Sequence, residues 1–301
     1  MKPKEQALPF LWSGLIYVLC LGLAYLAVRS ETRAIETGQI PPLPTVSAGQ
    51  AGFPIAYFFA VVVLLGVFLF LIPVSRLKLV LRVLFGFAFA WGSFVLFWLL
   101  LQHSPPATLN SVTIIAAVAA LAVAAVWLWR PAIWLHDILL MFTLVSMASV
   151  FGVIFSPWTA IVIMAMISVY DFIAVRFGYM QWMARKLSES DTLPAFFVPY
   201  SAGNWNASLK AAALKRLFER AGEKEFSVLG GGDIGFPLLL VVSVLDTSGP
   251  GKGMIVAGFS LMGLAAAYLV LILVMKGRPT PALPPIFALS LAGFLLVNFV
   301  L

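Results

Sequence analysis

The sequence predicts an all-α polytopic membrane protein of nine transmembrane helices, with the N-terminus in the cytosol and the C-terminus outside. Three observations predict it. Charged residues make up only 10% of the 301 residues and hydrophobic ones 62%, whereas a soluble domain carries about 25% charge; mean hydropathy is +1.04. Apolar runs of the length a bilayer core demands recur along the whole chain. Lys and Arg then fall on alternate sides of those runs, as the positive-inside rule requires.

The apolar runs give spans at about 9–28, 54–74, 79–102, 110–129, 132–155, 158–176, 227–246, 253–275 and 284–301. Lys2 and Lys4 before the first run resemble a signal peptide, but the run is long and lacks a clear small-x-small site before Arg29. It reads as a retained span. Ser104-Pro105-Pro106 and Ser156-Pro157 read as tight turns. Alternating sides from the N-terminus puts 16 of the 19 Lys and Arg on one face and only Arg29, Arg33 and Lys252 on the other. Net charge of +7 therefore reads as basic cytosolic loops and not as nucleic-acid binding. Cys20 is the single cysteine, and His103 and His136 sit apart, so neither an internal disulfide nor a metal site is expected.

The chain reads as one integrated membrane domain in two parts. Residues 1–155 form a bundle of five spans, and residues 156–301 hold spans six to nine with the charged cytosolic loop 177–226. Inside that loop, 208–221 places Leu209, Ala213, Leu217 and Phe218 on one helical face, which suits a helix on a membrane surface or a solvated linker helix. Asn206-Ala207-Ser208 matches a glycosylation acceptor but lies on the cytosolic side; Ser208 is there by chance or as a helix cap. Small-residue stripes at Ala116, Ala120 and Ala124 and at Gly86 and Ala90 read as helix packing.

An ionisable residue inside a span is costly, and it marks a functional site by default. Asp137, near the cytosolic end of span five, and Asp246, at the outer end of span seven, can reach an interface and read as solvated helix ends. Asp171 in ISVYDFIAV and Asp233 in LGGGDIGFP cannot. Asp171 lies five residues before Arg176, a rise of about 8 Å. Asp233 lies eight residues after Glu225, about 12 Å if helical and less if the glycines unwind. The two carboxylates thus fall at similar depth on consecutive antiparallel spans, with no cationic partner. Such a pair resolves its repulsion by sharing one proton. That is the apparatus of aspartic hydrolysis, in which one carboxylate takes a proton from water while the other donates to the carbonyl. Gly230-Gly231-Gly232 before Asp233 permits close backbone approach or an open helix. Pro279-Thr280-Pro281-Ala282-Leu283-Pro284-Pro285 cannot be regular helix and is a loop with proline in the first turn of span nine, or irregular backbone beside water.

Tyr170-Asp171, GxGD at Gly230 to Asp233, and the PAL at Pro281-Ala282-Leu283, in that order on spans six, seven and the start of nine, resemble the signatures of presenilins and signal peptide peptidases. The resemblance implies intramembrane proteolysis by Asp171 and Asp233, with Tyr170 flanking the dyad. Gly230, Gly232, Pro281, Ala282 and Leu283 would shape the site, with no metal or organic cofactor. It implies transmembrane helical proteins or peptides as substrates, met within the lipid bilayer. The cytosolic N-terminus and PALP at 281–284 are presenilin-like. The short loop 177–226 points to a compact microbial homologue in a cell membrane, acting as a single chain and leaving a homo-oligomer open. A proton-coupled transporter or ion-leak channel would also use buried aspartates on broken helices, but no inverted repeat is visible. A prepilin-peptidase-like protease shares GxGD but cuts outside the membrane core.

Overall fold

The computed structural model describes residues 3–42, 52–72, 74–102, 109–179, 182, 193–200, 202–209, 226–274 and 280–301. His103, the turn at 104–106, Pro279 and the amphipathic stretch 210–221 lie outside the described residues. In chain order the elements are α1 (Pro3–Glu36), α2 (Gly52–Leu71), α3 (Val74–Leu101), α4 (Leu109–Trp129), α5 (Ile133–Ile154), α6 (Pro157–Arg176), β1 (Ala195–Pro199), β2 (Phe226–Gly230), α7 (Gly231–Ser248), α8 (Pro250–Leu269) and α9 (Leu283–Phe299). A short 3-10 helix, Ala202–Asn206, lies between the strands, and a π turn, Val270–Val274, extends α8. Seven of these helices are long and apolar enough to cross a membrane by length and composition. Two shorter apolar segments, Ile55–Phe68 in α2 and α9 itself, are present besides among the described residues.

Several boundaries differ from the sequence reading, α3 starting at Val74 and not near 79 among them, and two have a clear physical reason. The first helix runs on to Glu36, because the charged segment after Arg29 is rich in good helix formers and continues the helix beyond the apolar run. The start of span seven is not helix at all: residues 226–230 are strand, paired antiparallel with 195–199. Phe-Ser-Val-Leu is apolar and short, and periodicity alone does not separate such a run from helix. What decides it is the partner Ala-Phe-Phe-Val-Pro, 27 or more residues earlier in the chain.

The core is built around α7, which packs against α1, α5, α6, α8 and α9. Leu238, Leu240, Val242 and Val244 of α7 are all fully buried, and one hydrophobic cluster runs from Ile16 in α1 to Val297 in α9. Lipid tails are as apolar as leucine, so the helices associate through close packing and hydroxyl bonds. Ser260 and Ser290 join α8 to α9 at 2.8 Å, and Ser146 donates to the Gly92 carbonyl across α5 and α3. Gly263 lets α9 approach so closely that a Cβ there would lie 2.7 Å from the Ile286 Cα. Backbone cannot yield as a side-chain tip can. Gly263→Ala is therefore expected to destabilise the fold by about 1–3 kcal/mol, read as a lower thermal midpoint in detergent. α2 packs on α6 and leaves Val63, Leu64 and Leu71 outward.

A second, smaller apolar cluster caps one end of the bundle. It joins Leu77 and Leu81 of α3 and Ile133 of α5 to Leu193, Ala195, Phe197, Leu209 and Phe226. The strand pair is thus packed onto the helices. Ser208 forms an isolated bridge with Ala132, with Leu209 N–H donating to the Pro131 carbonyl at 2.8 Å; the helix that Ser208 would cap lies outside the described residues.

Candidate active site

Asp171 stands on α6 five residues before its end at Arg176, and its carboxylate is half-buried. α6 is set by Pro157 in its first turn and by Ser156, whose hydroxyl accepts from the Thr159 N–H at 3.2 Å. Proline at that position costs no hydrogen bond, because its missing donor would be orphaned there anyway.

Asp233 comes from a different local structure. The strand β2 ends at Gly230, which has φ −60° and ψ 135° and serves as N-cap of α7. Asp233 is then the third residue of the helix, and its side chain accepts from the Gly230 N–H. This is the reach-back arm of a capping box, and it holds a carboxylate against the positive end of the helix. Gly230 and Gly231 are set by space more than by flexibility. A Cβ on Gly230 would lie 3.0 Å from Asp233 Oδ2, and one on Gly231 would lie 3.0 Å from the Pro194 carbonyl oxygen. Gly232 is exposed, and a Cβ there would meet only the edge of Phe236, at 3.3 Å.

The PAL segment closes the site from a third side. Leu283 N–H donates to Asp171 Oδ2 at 3.2 Å, and the Ala282 N–H bonds the same carboxylate. α9 begins at Leu283, so Asp171 occupies the N-terminus of α9, where backbone donors are otherwise unpartnered. Pro281 and Ala282 are half-buried and Leu283 is buried. α6, α7 and α9 pack on one another, and Asp171 lies near enough to Asp233 to act on it as a like charge. Tyr170 is 41% exposed; one residue before Asp171, it points about 100° around the helix from it.

Two features were not legible in the sequence. Tyr268 of α8 is buried; its hydroxyl shares a hydrogen bond with Ser13 Oγ at 2.6 Å. It also bonds the Ser227 side chain and lies within electrostatic range of Asp233. A lone tyrosine in an aliphatic span gives no sign of a partner 255 positions away. Asp137, expected as a solvated helix end, is instead 5% exposed and accepts from the Phe197 N–H at 3.1 Å. His136 beside it is fully buried among Phe85, Phe89, Trp127 and Phe197. The strand β1 that covers them could not be anticipated, and it removes them from water. Asp246 is exposed at the end of α7, as expected.

With this geometry in view, comparison with known proteins identifies the class. Two solved structures of a presenilin family intramembrane aspartate protease, in space groups C222 and P2, share the fold. Their TM-scores are 0.63 and 0.62 at 23% and 22% identity, over 96% and 98% of this chain and 98% and 99% of those chains. No curated protein matches the sequence. The profile of the signal-peptide peptidase, presenilin aspartyl protease family matches residues 32–301. The chain belongs to that family, and it is an integral, multi-pass intramembrane aspartyl protease.

Proposed function

We propose that Asp171 and Asp233 are the catalytic pair and that they hydrolyse peptide bonds within transmembrane helices of substrate proteins. The observation that carries this is the convergence of three chain segments on two carboxylates: the α6 body, the strand–glycine–helix junction before Asp233, and the PAL amides on Asp171. One aspartate, ionised, takes a proton from the attacking water. The other, protonated, donates to the scissile carbonyl oxygen. The Leu283 and Ala282 amides hold the Asp171 carboxyl in place, and the Gly230 amide holds that of Asp233. Tyr170, Gly230, Gly232, Pro281, Ala282 and Leu283 shape the site.

A helical substrate hides its peptide bonds in its own hydrogen bonds, so it must unwind to be cut. The strand pair offers the means. Phe197 N–H points away from β2, to Asp137, so by the alternation of antiparallel pairing the backbone groups of Phe226 and Val228 point away from β1. Val228 is exposed. An unwound substrate segment adds to that β2 edge by backbone hydrogen bonding, five to seven residues before Asp233. The reading extends to nine spans with a cytosolic N-terminus and an outer C-terminus, the division at residue 155, the cell membrane of a microbe, and a single chain with a homo-oligomer open. A reporter joined to either terminus and scored for its side of the membrane tests the orientation.

The function is tested by reconstituting the protein with a labelled transmembrane peptide in H₂¹⁸O. Hydrolysis gives two fragments with one ¹⁸O at the new carboxyl terminus. Ion or proton flux without fragments is the result expected of a transporter, and it would overturn the assignment.

A further inference from the structure

Tyr268 lies in α8, and its ring is held by α1. Phe10 meets it edge-on, with ring centroids 5.2 Å apart, and Ser13 shares a 2.6 Å hydrogen bond with its hydroxyl. Tyr268 is 9% exposed and Ser13 fully buried. Burying two hydroxyls for the one bond between them gains little, because replacing both partners by apolar groups of the same shape is close to neutral. Ala and Phe would pack α1 on α8 as well. The phenol therefore serves something that this pair alone does not explain.

A third partner supplies it. The same hydroxyl bonds the Ser227 side chain and lies within electrostatic range of Asp233. A phenol oxygen carries one proton and also accepts, so one hydroxyl can join Ser13 and Ser227 at once. Ser227 sits in β2, on the opposite face of the sheet from the exposed Val228. β2 passes without a break into α7: Gly230 is the last residue of the strand and the N-cap of the helix, and Asp233 is the third helical residue. Whatever fixes the tilt of β2 therefore fixes the first turn of α7 and the aim of Asp233. Burial of Phe226 and Leu229 holds the strand down, but burial is non-directional. The hydrogen bond from α8 has a direction. We infer that Tyr268 is a positioning residue: anchored on α1 through Ser13, its hydroxyl ties Ser227 and thereby holds the strand–helix junction so that Asp233 faces Asp171. This rests on the assignment of Asp171 and Asp233 as the catalytic pair.

The test is the split between kcat and KM on one reconstituted transmembrane peptide, with thermal midpoints measured in detergent. Tyr268→Phe keeps the ring and removes the hydroxyl. It lowers kcat by about 5- to 50-fold, short of the cost of a misplacement of about 1 Å, and leaves KM within about twofold. Ser227→Ala gives a loss of the same size. Ser227→Thr, which returns a hydroxyl, recovers most of it. The double variant Tyr268→Phe/Ser227→Ala loses no more than either alone, because both changes remove the same bond. Ser260→Ala is the control for a looser bundle: it breaks the hydroxyl bond between α8 and α9, lowers the midpoint, and keeps kcat within about twofold. Wild-type kcat in folded Tyr268→Phe overturns the inference. So does wild-type kcat in Ser227→Ala, a rise in KM with kcat unchanged, or a loss in Ser260→Ala as large as that in Tyr268→Phe. Should Tyr268→Phe fail to fold, the two Ser227 variants decide it by the same criteria. Hydrolysis that survives Asp171→Ala or Asp233→Ala refutes the catalytic pair itself, whatever Tyr268→Phe does, so the two failures are told apart.

Discussion

Asp171→Ala and Asp233→Ala each lower the rate of fragment formation from a reconstituted helical substrate by at least about 10³-fold, within the range that a positioned acid or base contributes. The losses do not multiply in the double variant, because the two groups act as one unit. Asn at either position is the sharper test. Asp171→Asn retains an oxygen for the Leu283 and Ala282 amides, and Asp233→Asn retains one for the Gly230 amide, so the local backbone stays as it is. Neither can exchange a proton with water, and both are expected to be as inactive as alanine. Thermal midpoints should hold or rise, because a carboxylate leaves an apolar setting. A residue whose loss stops the reaction without lowering stability is kept for chemistry and not for the fold. Hydrolysis at a tenth of the wild-type rate in any of the four variants would remove that residue from the reaction.

The sequence made the membrane architecture legible because a bilayer imposes a length and a polarity on every span, and both are local properties of the chain. It made Asp171 and Asp233 legible for the same reason: a charge has no ordinary place at that depth. The rest depended on contacts far apart in sequence. Residues 226–230 look like the start of a helix until strand 195–199 is set beside them. Asp137 looks like a helix end in water until Phe197 covers it. The PAL segment was expected to be a loop or irregular backbone; its action is through two main-chain amides on Asp171, and side-chain identity does not reveal where an amide points. Proline explains that segment only indirectly. In the first turn it starts α9 where the Ala282 and Leu283 N–H groups face the carboxylate.

The glycines before Asp233 yield the second large effect. A packing or flexibility role treats Gly230 and Gly232 alike, whereas the structure separates them. Gly230 has φ −60° and ψ 135°, which alanine adopts freely, so Gly230→Ala adds no backbone strain. Its methyl would lie 3.0 Å from Asp233 Oδ2 and 3.5 Å from Cγ, and the carboxylate must turn or the strand–helix junction must shift. Either change disturbs the aim of Asp233 at its water, and a misplacement of this kind costs up to about 10²-fold. Gly230→Ala is therefore expected to lower kcat by about 10- to 100-fold with little change in thermal midpoint. Gly232→Ala, whose methyl meets only the movable edge of Phe236, stays within about threefold of wild type. Measuring kcat and the midpoint for both variants on one substrate decides between the readings. Equal losses would mean that the glycines serve helix flexibility, and a greater loss at 232 would show that the carboxylate does not lean toward Gly230 during turnover.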